Sequence, residues 1–447
     1  MEELRKSVAL FDEQRDVWGK RAAEGIEANR KGDMRITVRD AKGCPVKGAQ
    51  VKVEQKNHAF RFGANLFMLD ELETEEKNEK YKQYFANLLN MATVPFYWDT
   101  LEPEEGKPRY AKDSPKIYRR PAIDLCIEFC EKHGIEPREH ALAYDRFFPE
   151  WLKKRSIPEV KKALEKRFAE ISERYAAKIP TIEVTNEMNW KFGQTAFYDD
   201  PEFLPWCYDM AEKYFPNNHI AINEATGHIW DTAARTTNGY YGYTKRLLDA
   251  GKRIDAIGLQ YHLHRHKEGL FDATRLLLNP EYIYRHLDVF ASLGKPLQLT
   301  EITVPAYAWA EENEIWQADL LENLYTIWFS HPATEQIVYW NLVDGYAHVW
   351  DPALIKGSQG NMTLGENYYH GGLLRFDLSP KPVYFRLKEL IEKRWHTEER
   401  AQTDLGGVVA LRGFYGDYEI EITASGKTQK HTVSLVKGGE KDFAFVL

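Results

Sequence analysis

IEVTNE (residues 182–187) and LQLTE (residues 297–301) are the most informative segments of this chain. Each is an apolar, β-branched run that ends on a glutamate, Glu187 in the first segment and Glu301 in the second. Such a run predicts a buried strand with its carboxylate at the carboxyl end. Because an α/β barrel carries its functional residues at the carboxyl ends of its strands, the two segments predict a barrel with two glutamates at its mouth.

Strand-like runs alternate with longer, charged stretches of helical periodicity from residue 60 onward. The strand-like runs are residues 60–66, 91–98, 136–144, 181–187, 219–223, 256–262, 296–301 and 336–342. Eight strands, each followed by a helix, predict an α/β fold of the (β/α)8 TIM-barrel type. A doubly wound sheet is the alternative, but it requires a Gly-rich phosphate turn after an early strand, and GANL (residues 63–66) is not one.

The pattern changes at both ends of the chain. Residues 34–55 indicate a β-hairpin, and the C-terminal residues alternate again between apolar and polar side chains. We therefore predict three segments: an N-terminal helix with accessory strands (1–57), the catalytic barrel (58–398) and strands that complete a small β-sandwich with the first segment (399–447). The sandwich is expected to be a structural cap, with ligand binding as the alternative.

Composition and charge narrow the range of partners. Hydrophobic residues are 43% of the chain and charged residues 29%, and the formal net charge is -8 without a lysine/arginine block. A nucleic acid or a membrane surface is therefore not an expected partner. Aromatic residues reach 13%, and their flat faces bind sugar rings as well as fill cores.

Cysteine usage and the N-terminus bear on the compartment. The four cysteines include no Cys-x-x-Cys pair, and Cys126 and Cys130 share one helical face, as small core residues would. The first residues lack the apolar core of a signal peptide, and no long apolar run occurs. As numbered, the chain is expected to be cytoplasmic; it would be secreted or periplasmic if a signal peptide had been removed before residue 1.

The two glutamates suit one kind of chemistry. The fourth and seventh strands of an eight-stranded barrel stand on roughly opposite sides, so Glu187 and Glu301 would face each other across the mouth. A retaining glycosidase needs one ionised carboxylate and one protonated carboxyl at close range, and their mutual repulsion separates the two pKa values. A structural ion pair is the alternative for each glutamate.

Further motifs accompany these glutamates in a recognisable order: WDTLEPEEG (98–106), EHAL (139–142), GLQYH (258–262) and YW (339–340). Together they resemble glycoside hydrolase family 10, the endo-β-1,4-xylanases and their relatives, over roughly residues 62–393. The resemblance implies a retaining hydrolase of polysaccharide or oligosaccharide on an eightfold barrel. It implies a carbohydrate partner and no metal or organic cofactor, and leaves the oligomeric state open.

The resemblance also implies roles for individual residues. Glu187 matches the acid/base and Glu301 the nucleophile. Asn186 would donate a hydrogen bond to the 2-hydroxyl of the sugar, and Gln260 and His262 would orient the nucleophile.

Three more residues match the family's sugar-binding positions. His140 would bind the sugar in the reacting subsite, and Trp340 would form the platform beneath it. Trp350 corresponds to a second tryptophan, shifted by two residues.

The chain departs from the family where substrate hydroxyls are held. Val94 and Tyr97 replace an asparagine and a lysine that bind the glycone, Tyr144-Asp145 replaces Trp-His, and Thr303 replaces an aspartate. Because buried polar groups discriminate strongly between substrates, we expect a xylan-like or differently substituted β-glycan, with Tyr97, Tyr144 and Asp145 among the substrate-binding residues.

Two other functional classes stay open. His262, His264 and His266 would share one face of a longer sixth strand and could serve a metal-dependent hydrolase. A barrel with altered subsites could also bind sugar without turnover. Glu183 and Glu224 lie near strand ends, where they could tune neighbouring pKa values or face solvent.

Overall fold

The computed structural model describes residues 1–190, 193–231 and 235–447. The strands within these ranges are β1 (Lys31–Arg39), β2 (Gln50–His58), β3 (Arg61–Asn65), β4 (Met91–Pro95), β5 (Glu136–His140), β6 (Thr181–Asn186), β7 (His219–Asn223), β8 (Ala256–His262), β9 (Leu297–Thr303), β10 (Thr334–Tyr339), β11 (Glu398–Gln402), β12 (Val408–Phe414), β13 (Gly416–Ala424), β14 (Lys427–Leu435) and β15 (Asp442–Val446).

The α-helices in the same ranges are α1 (Glu2–Ser7), α2 (Ala9–Glu13), α3 (Arg15–Arg30), α4 (Glu75–Ala86), α5 (Trp98–Leu101), α6 (Ile123–His133), α7 (Ile157–Tyr175), α8 (Phe203–Tyr214), α9 (Thr226–Trp230), α10 (Gly239–Asp249), α11 (Leu270–Thr274), α12 (Pro280–Ala291), α13 (Glu311–Ser330) and α14 (Pro382–Glu389). No described helix combines the length and the apolar character that crossing a membrane requires.

Strands β3 to β10 close into a parallel barrel in the order β10-β3-β4-β5-β6-β7-β8-β9. A helix follows each strand, which confirms the predicted TIM barrel. The strands read as apolar runs because helices cover the outside and side chains fill the inside.

Several predicted strand ends differ from the structure. The strand predicted at 91–98 ends at Pro95, and the strand predicted at 136–144 ends at His140. In both places the apolar run continues into a buried loop, which periodicity alone cannot separate from a strand. Conversely, β9 continues to Thr303, so Glu301 lies within the strand instead of ending it.

Helix α7 anchors the segments that follow strands β4 and β5. It starts with a reciprocal capping box between Ser156 and Glu159. The buried guanidinium of Arg167 on this helix donates to the carbonyl oxygens of Leu142 at 2.9 Å and Ala141 at 3.2 Å, and also to that of Phe96. The segments after β4 and β5 are therefore tied to one rigid helix.

The N-terminal helices pack on the barrel. Leu4, Phe11 and Trp18 belong to the same apolar core as the barrel residues. Arg30, at the end of α3, donates to the carbonyl oxygen of Phe329 in the last turn of α13, and to those of His331 at 2.6 Å and Thr334 at 2.7 Å beyond it. A cation at the carboxyl end of a helix satisfies carbonyls that have no partner within the helix.

The remaining strands form two sheets, β12-β1-β15 and β11-β2-β13-β14. Their common core contains Ile36 and Val38 from β1, Val51 and Val53 from β2, and Ile420 from β13. Strands near both chain ends thus form the predicted module.

The predicted hairpin is wrong, because β1 and β2 lie in different sheets. Each strand buries one alternating face against the other sheet instead of pairing edge to edge. The domain limits at 57/58 and 398/399 stay a prediction.

Candidate active site

A cleft of about 660 Å³ opens at the carboxyl ends of the barrel strands. It brings together most of the candidate residues from the sequence, namely Tyr97, Tyr144, Asn186, Glu187, Gln260, His262, Glu301, Trp340 and Trp350. His140 and Asp145 are fully buried and are not among the residues that line it.

The carboxylates of Glu187 and Glu301 share one hydrogen-bond donor. The amide Nε2 of Gln260 donates to Glu187 Oε1 at 3.1 Å and to Glu301 Oε1 at 2.9 Å. These contacts limit the separation of the two oxygens to about 6 Å, which is close to the spacing of a retaining pair and shorter than that of most inverting pairs.

Glu301 is only 3% exposed and is held from both sides. Asn223 Nδ2 donates to its Oε1 at 2.9 Å, and His262 Nε2 lies 3.3 Å from its Oε2. Burial raises the pKa of Glu301 to about 8, while the neighbouring His140 acts to lower it. Its negative charge is therefore costly in this buried position.

Glu187 follows β6 directly and has a positive φ of 54°, a left-handed conformation that is uncommon for glutamate. The hydroxyl of Tyr144 donates to its Oε2 at 2.5 Å. With Gln260 on Oε1, both carboxyl oxygens of Glu187 have a donor within the barrel mouth.

Thr303 stands where the family resemblance places an aspartate, and it contacts His262, the neighbour of Glu301. Its Oγ1 lies 2.9 Å from His262 Nδ1. Burial lowers the pKa of His262, so the neutral imidazole can donate through one nitrogen and accept through the other.

Sequence reasoning did not find the buried charge network under the cleft. Arg138 Nη1 lies 2.6 Å from Glu183 Oε2, and His140 Nδ1 lies 2.9 Å from Glu183 Oε1. Burial alone would raise the pKa of Glu183, but Arg138 and His140 outweigh it and lower the pKa. Burial likewise opposes protonation of His140, but Glu183 raises its pKa overall. The other ring nitrogen of His140 meets the hydroxyl of Tyr97 at 2.9 Å.

The solvent-facing alternative for Glu183 and Glu224 is wrong, because both are fully buried. Glu224 accepts hydrogen bonds from the Tyr243 hydroxyl at 2.7 Å and from the backbone amide of Asn189 at 3.1 Å. Burial raises its pKa to about 7. Opposite charges inside neighbouring buried strands, such as Arg138 and Glu183, were the signal that could have revealed this network, since buried charges require partners.

Asp145 orders a neighbouring loop. Its carboxylate accepts from the backbone amide of Gln194 at 2.7 Å and from the hydroxyl of Thr195 at 3.3 Å. Its contact with substrate stays a prediction.

Of the three histidines, His262 ends β8, and His264 and His266 follow it. His262 stacks on His264 with ring centroids 4.7 Å apart, His264 stacks on Tyr369, and His266 packs against Tyr368. Burial lowers the pKa of His264 to about 3.

Within the described ranges, the metal-ligand atoms that converge belong to another group: His140, Glu183 and Glu301. Arg138 and the amide of Asn223 already contact the carboxylates of this group. Cations and hydrogen-bond donors at those oxygens do not suit a metal ion.

Aromatic rings form the floor and the outer rim of the cleft. Trp340 packs 5.2 Å from Phe67 and 5.5 Å from His140, measured between ring centroids. Trp190 and Trp350 line the cleft and are each 53% exposed, so their faces are open to a ligand.

Comparison with known proteins gives a consistent family. A family model described as "Glycosyl hydrolase family 10" matches residues 54–385. Among curated proteins, the anti-sigma-I factor RsgI6 of Acetivibrio thermocellus is 25% identical over 425 residues, which is 94% of this chain and 49% of that protein. Endo-1,4-beta-xylanase B of Thermotoga neapolitana is 24% identical over 327 residues, 71% of this chain and 84% of the xylanase. The chain thus spans about half the length of the anti-sigma-I factor.

Solved structures show the same barrel. Xylanase 10B from Thermotoga petrophila, in complex with xylobiose, has a TM-score of 0.56 and 22% identity, covering 75% of this chain and 95% of its own. Xylanase 10B from Thermotoga maritima has a TM-score of 0.54 and 22% identity, covering 75% and 96%. At this identity the likeness concerns the fold.

Proposed function

The chain belongs to glycosyl hydrolase family 10, and from this we propose that it is a retaining β-glycoside hydrolase acting on xylan or a related, differently substituted β-glycan. The observation that carries the proposal is the amide of Gln260, which donates to Glu187 and Glu301 at once and so supports a spacing suited to double displacement.

Two displacements at the anomeric carbon make up the reaction. In the first, Glu301 attacks that carbon while Glu187 transfers its proton to the leaving-group oxygen; the bond between the carbon and this oxygen breaks, and a covalent glycosyl-enzyme forms on Glu301. In the second, the Glu187 carboxylate takes a proton from water, the water oxygen attacks the same carbon, and the bond to Glu301 breaks. Two inversions leave the configuration unchanged.

The neighbours of Glu301 supply its orientation. Asn223 and Gln260 both donate to Oε1, and His262 stands beside Oε2, which leaves little freedom for the carboxylate to rotate away from the substrate. Positioning of this kind contributes strongly to catalysis because the attack needs a narrow range of distance and angle. Asn186 would hold the 2-hydroxyl of the sugar.

The sugar itself would rest on aromatic side chains. Trp340 forms the platform of the reacting subsite, and Tyr97 and His140 lie beside it. Trp350 and Trp190, with their exposed faces, would stack on sugars further along the cleft.

Sugar binding without turnover is the second candidate. One observation favours it: the relative that matches along 94% of this chain is named an anti-sigma-I factor and not a xylanase. Turnover separates the two functions.

The deciding experiment is hydrolysis of defined xylo-, gluco- and substituted oligosaccharides, with the first-formed anomer followed by NMR. We expect β-configured products from a β-glycan and no turnover by Glu301→Ala. Glu187→Ala should retain activity on aryl glycosides with good leaving groups and lose it on poor ones, because only the latter need the proton. Sugar affinity without turnover of any substrate, or products of inverted configuration, would refute the proposal.

A suitable control is Glu212→Gln, which changes an exposed glutamate on α8. It should leave every rate unchanged.

A further inference from the structure

Two adjacent arginines, Arg119 and Arg120, form a cationic wall in the cleft. They belong to the long connection between α5 and α6, which follows the second barrel strand. The residues are only 5% and 8% exposed, yet both line the cleft. A ligand in the cleft would therefore meet two largely desolvated guanidinium groups.

The protein satisfies these groups only in part. Arg119 donates through Nη1 to Asn341 Oδ1 at 3.1 Å and to the carbonyl oxygen of Tyr346, and Arg120 donates through Nη1 to the carbonyl oxygen of Arg119 at 2.9 Å. The Nε–H group of each arginine has no partner in the structure. Across the described ranges, neither guanidinium forms an ion pair with a carboxylate.

Two buried guanidinium groups without a negative partner are energetically unfavourable unless a ligand supplies one. Buried charges in proteins are normally paired, and an unpaired one destabilises the fold. Burial accordingly lowers the pKa of Arg120. A ligand that brought a negative charge to the wall would recover that cost on binding.

Arg265 and Glu366, two other charged residues that line the cleft, are already engaged. Arg265 is paired with Asp231 at 2.7 Å. Glu366 accepts from Asn341 Nδ2 at 3.0 Å. Burial opposes its ionisation, but electrostatic attraction to the histidines around it, His264 first, and to Arg119 outweighs burial and lowers its pKa.

The wall lies close to the reacting centre. The guanidinium carbon of Arg120 stands 3.8 Å from the ring centroid of Tyr97, and the hydroxyl of Tyr97 contacts His140. Tyr97 occupies the position at which the family resemblance places a lysine on the glycone side. A cation is thus present in the same region, but it comes from a different part of the chain and has a planar, forked donor set.

We propose that Arg119 and Arg120 bind the carboxylate of an acidic sugar, a uronic acid unit or substituent of the β-glycan, on the glycone side of Glu187 and Glu301. The substrate class rests on the function proposed above. A guanidinium offers two parallel N–H donors that match the two oxygens of a carboxylate, which a neutral sugar hydroxyl cannot use in the same way.

The test compares two ligands that differ in one group. The probe is a β-1,4-linked xylo-oligosaccharide with one glucuronic acid substituent, and its partner is the same molecule after the carboxyl has been reduced to an alcohol. Binding is measured by calorimetry on the full chain carrying Glu301→Gln, so that hydrolysis does not interfere. We expect the acidic form to bind about 10- to 100-fold more tightly, as for hydrogen bonds to a charged group.

Variants then assign that preference to the wall. In the same background, Arg120→Gln should remove most of the preference, and Arg120→Lys, which keeps the charge but loses the fork, should retain part of it. Arg265→Gln is the matched control: it removes one positive charge from the same cleft, but from an arginine already paired with Asp231. An equal loss in Arg265→Gln would refute the specific contact, and thermal unfolding would identify any variant that no longer folds.

The two proposals can fail separately. If the unsubstituted chain hydrolyses neutral glycans but Glu301→Gln binds the acidic and reduced probes equally, the arginine site is refuted and the hydrolase stands. If Glu301→Gln binds the acidic probe through Arg120 but the unsubstituted chain turns over no glycoside, the hydrolase is refuted and the arginine site stands.

Discussion

Replacing the buried carboxyl of Glu301 with an amide should stabilise the protein, and more so at high pH. Burial raises the pKa of Glu301 from an ordinary value of 4.5 to about 8. The folded state therefore binds this proton more tightly than the unfolded chain does. The stabilisation from the raised pKa is complete below pH 4.5 and is lost as the pH rises through about 8, where the folded protein must carry the buried charge.

The difference between the folded and unfolded pKa values of Glu301 sets how much its ionisation lowers the free energy of unfolding. The upper limit of this loss is about 5 kcal/mol at high pH and about 2 kcal/mol at pH 6. Between pH 6 and pH 9, the advantage of Glu301→Gln over the unsubstituted chain should therefore grow by about 2–3 kcal/mol.

The surroundings of Glu301 can accommodate the amide without a new unsatisfied group. Its oxygen would accept from Asn223 and Gln260, as Glu301 Oε1 does now. Its NH2 group would donate to Nε2 of the neutral His262, whose Nδ1–H can donate to Thr303 Oγ1. Steric or polar costs should therefore not mask the electrostatic gain.

Chemical denaturation at pH 6 and pH 9 measures the effect in the unsubstituted chain, in Glu301→Gln and in the exposed control Glu212→Gln. The ionisation of Glu301 should also produce the fall of kcat/KM on the acidic side of its pH profile, since Glu301 must be ionised to attack. A stability difference that stays constant or shrinks between the two pH values would show that Glu301 does not carry a buried, pH-dependent cost.

Three further predictions concern the same site. Tyr144→Phe, which removes the 2.5 Å hydrogen bond to Glu187, should lower kcat/KM by about 10-fold or more on glycosides with poor leaving groups; an unchanged rate on these substrates would contradict a catalytic use of that bond. Gly258→Ala would place a Cβ 2.5 Å from Asn223 Oδ1, displacing the amide that donates to Glu301; kcat should fall, with about 1–3 kcal/mol lost in stability, and full activity would refute this role of Asn223. Dialysis against a chelator should leave activity intact, whereas a loss reversed by Zn²⁺ would favour the metal-dependent alternative.

The barrel was predictable because its signals are local. A strand that is buried on both faces must be apolar along its length, so the eight runs could be recognised one at a time. Thr303 shows how a departure from the family can still be accommodated, since its hydroxyl contacts His262 in place of the aspartate. The hairpin failed because alternation in β1 and β2 shows that each has one buried face, but not which strand it pairs with.

Local pattern was thus enough to place Glu187 and Glu301 at one end of one barrel. It was not enough to show what surrounds them, because pKa values, ion pairs and unpaired charges depend on groups that are far apart in the chain and adjacent only after folding. Arg138 and Glu183 read as two separate charges until the strands bring them within 2.6 Å. Arg120 likewise reads as an ordinary loop arginine until burial removes its water and no carboxylate replaces it.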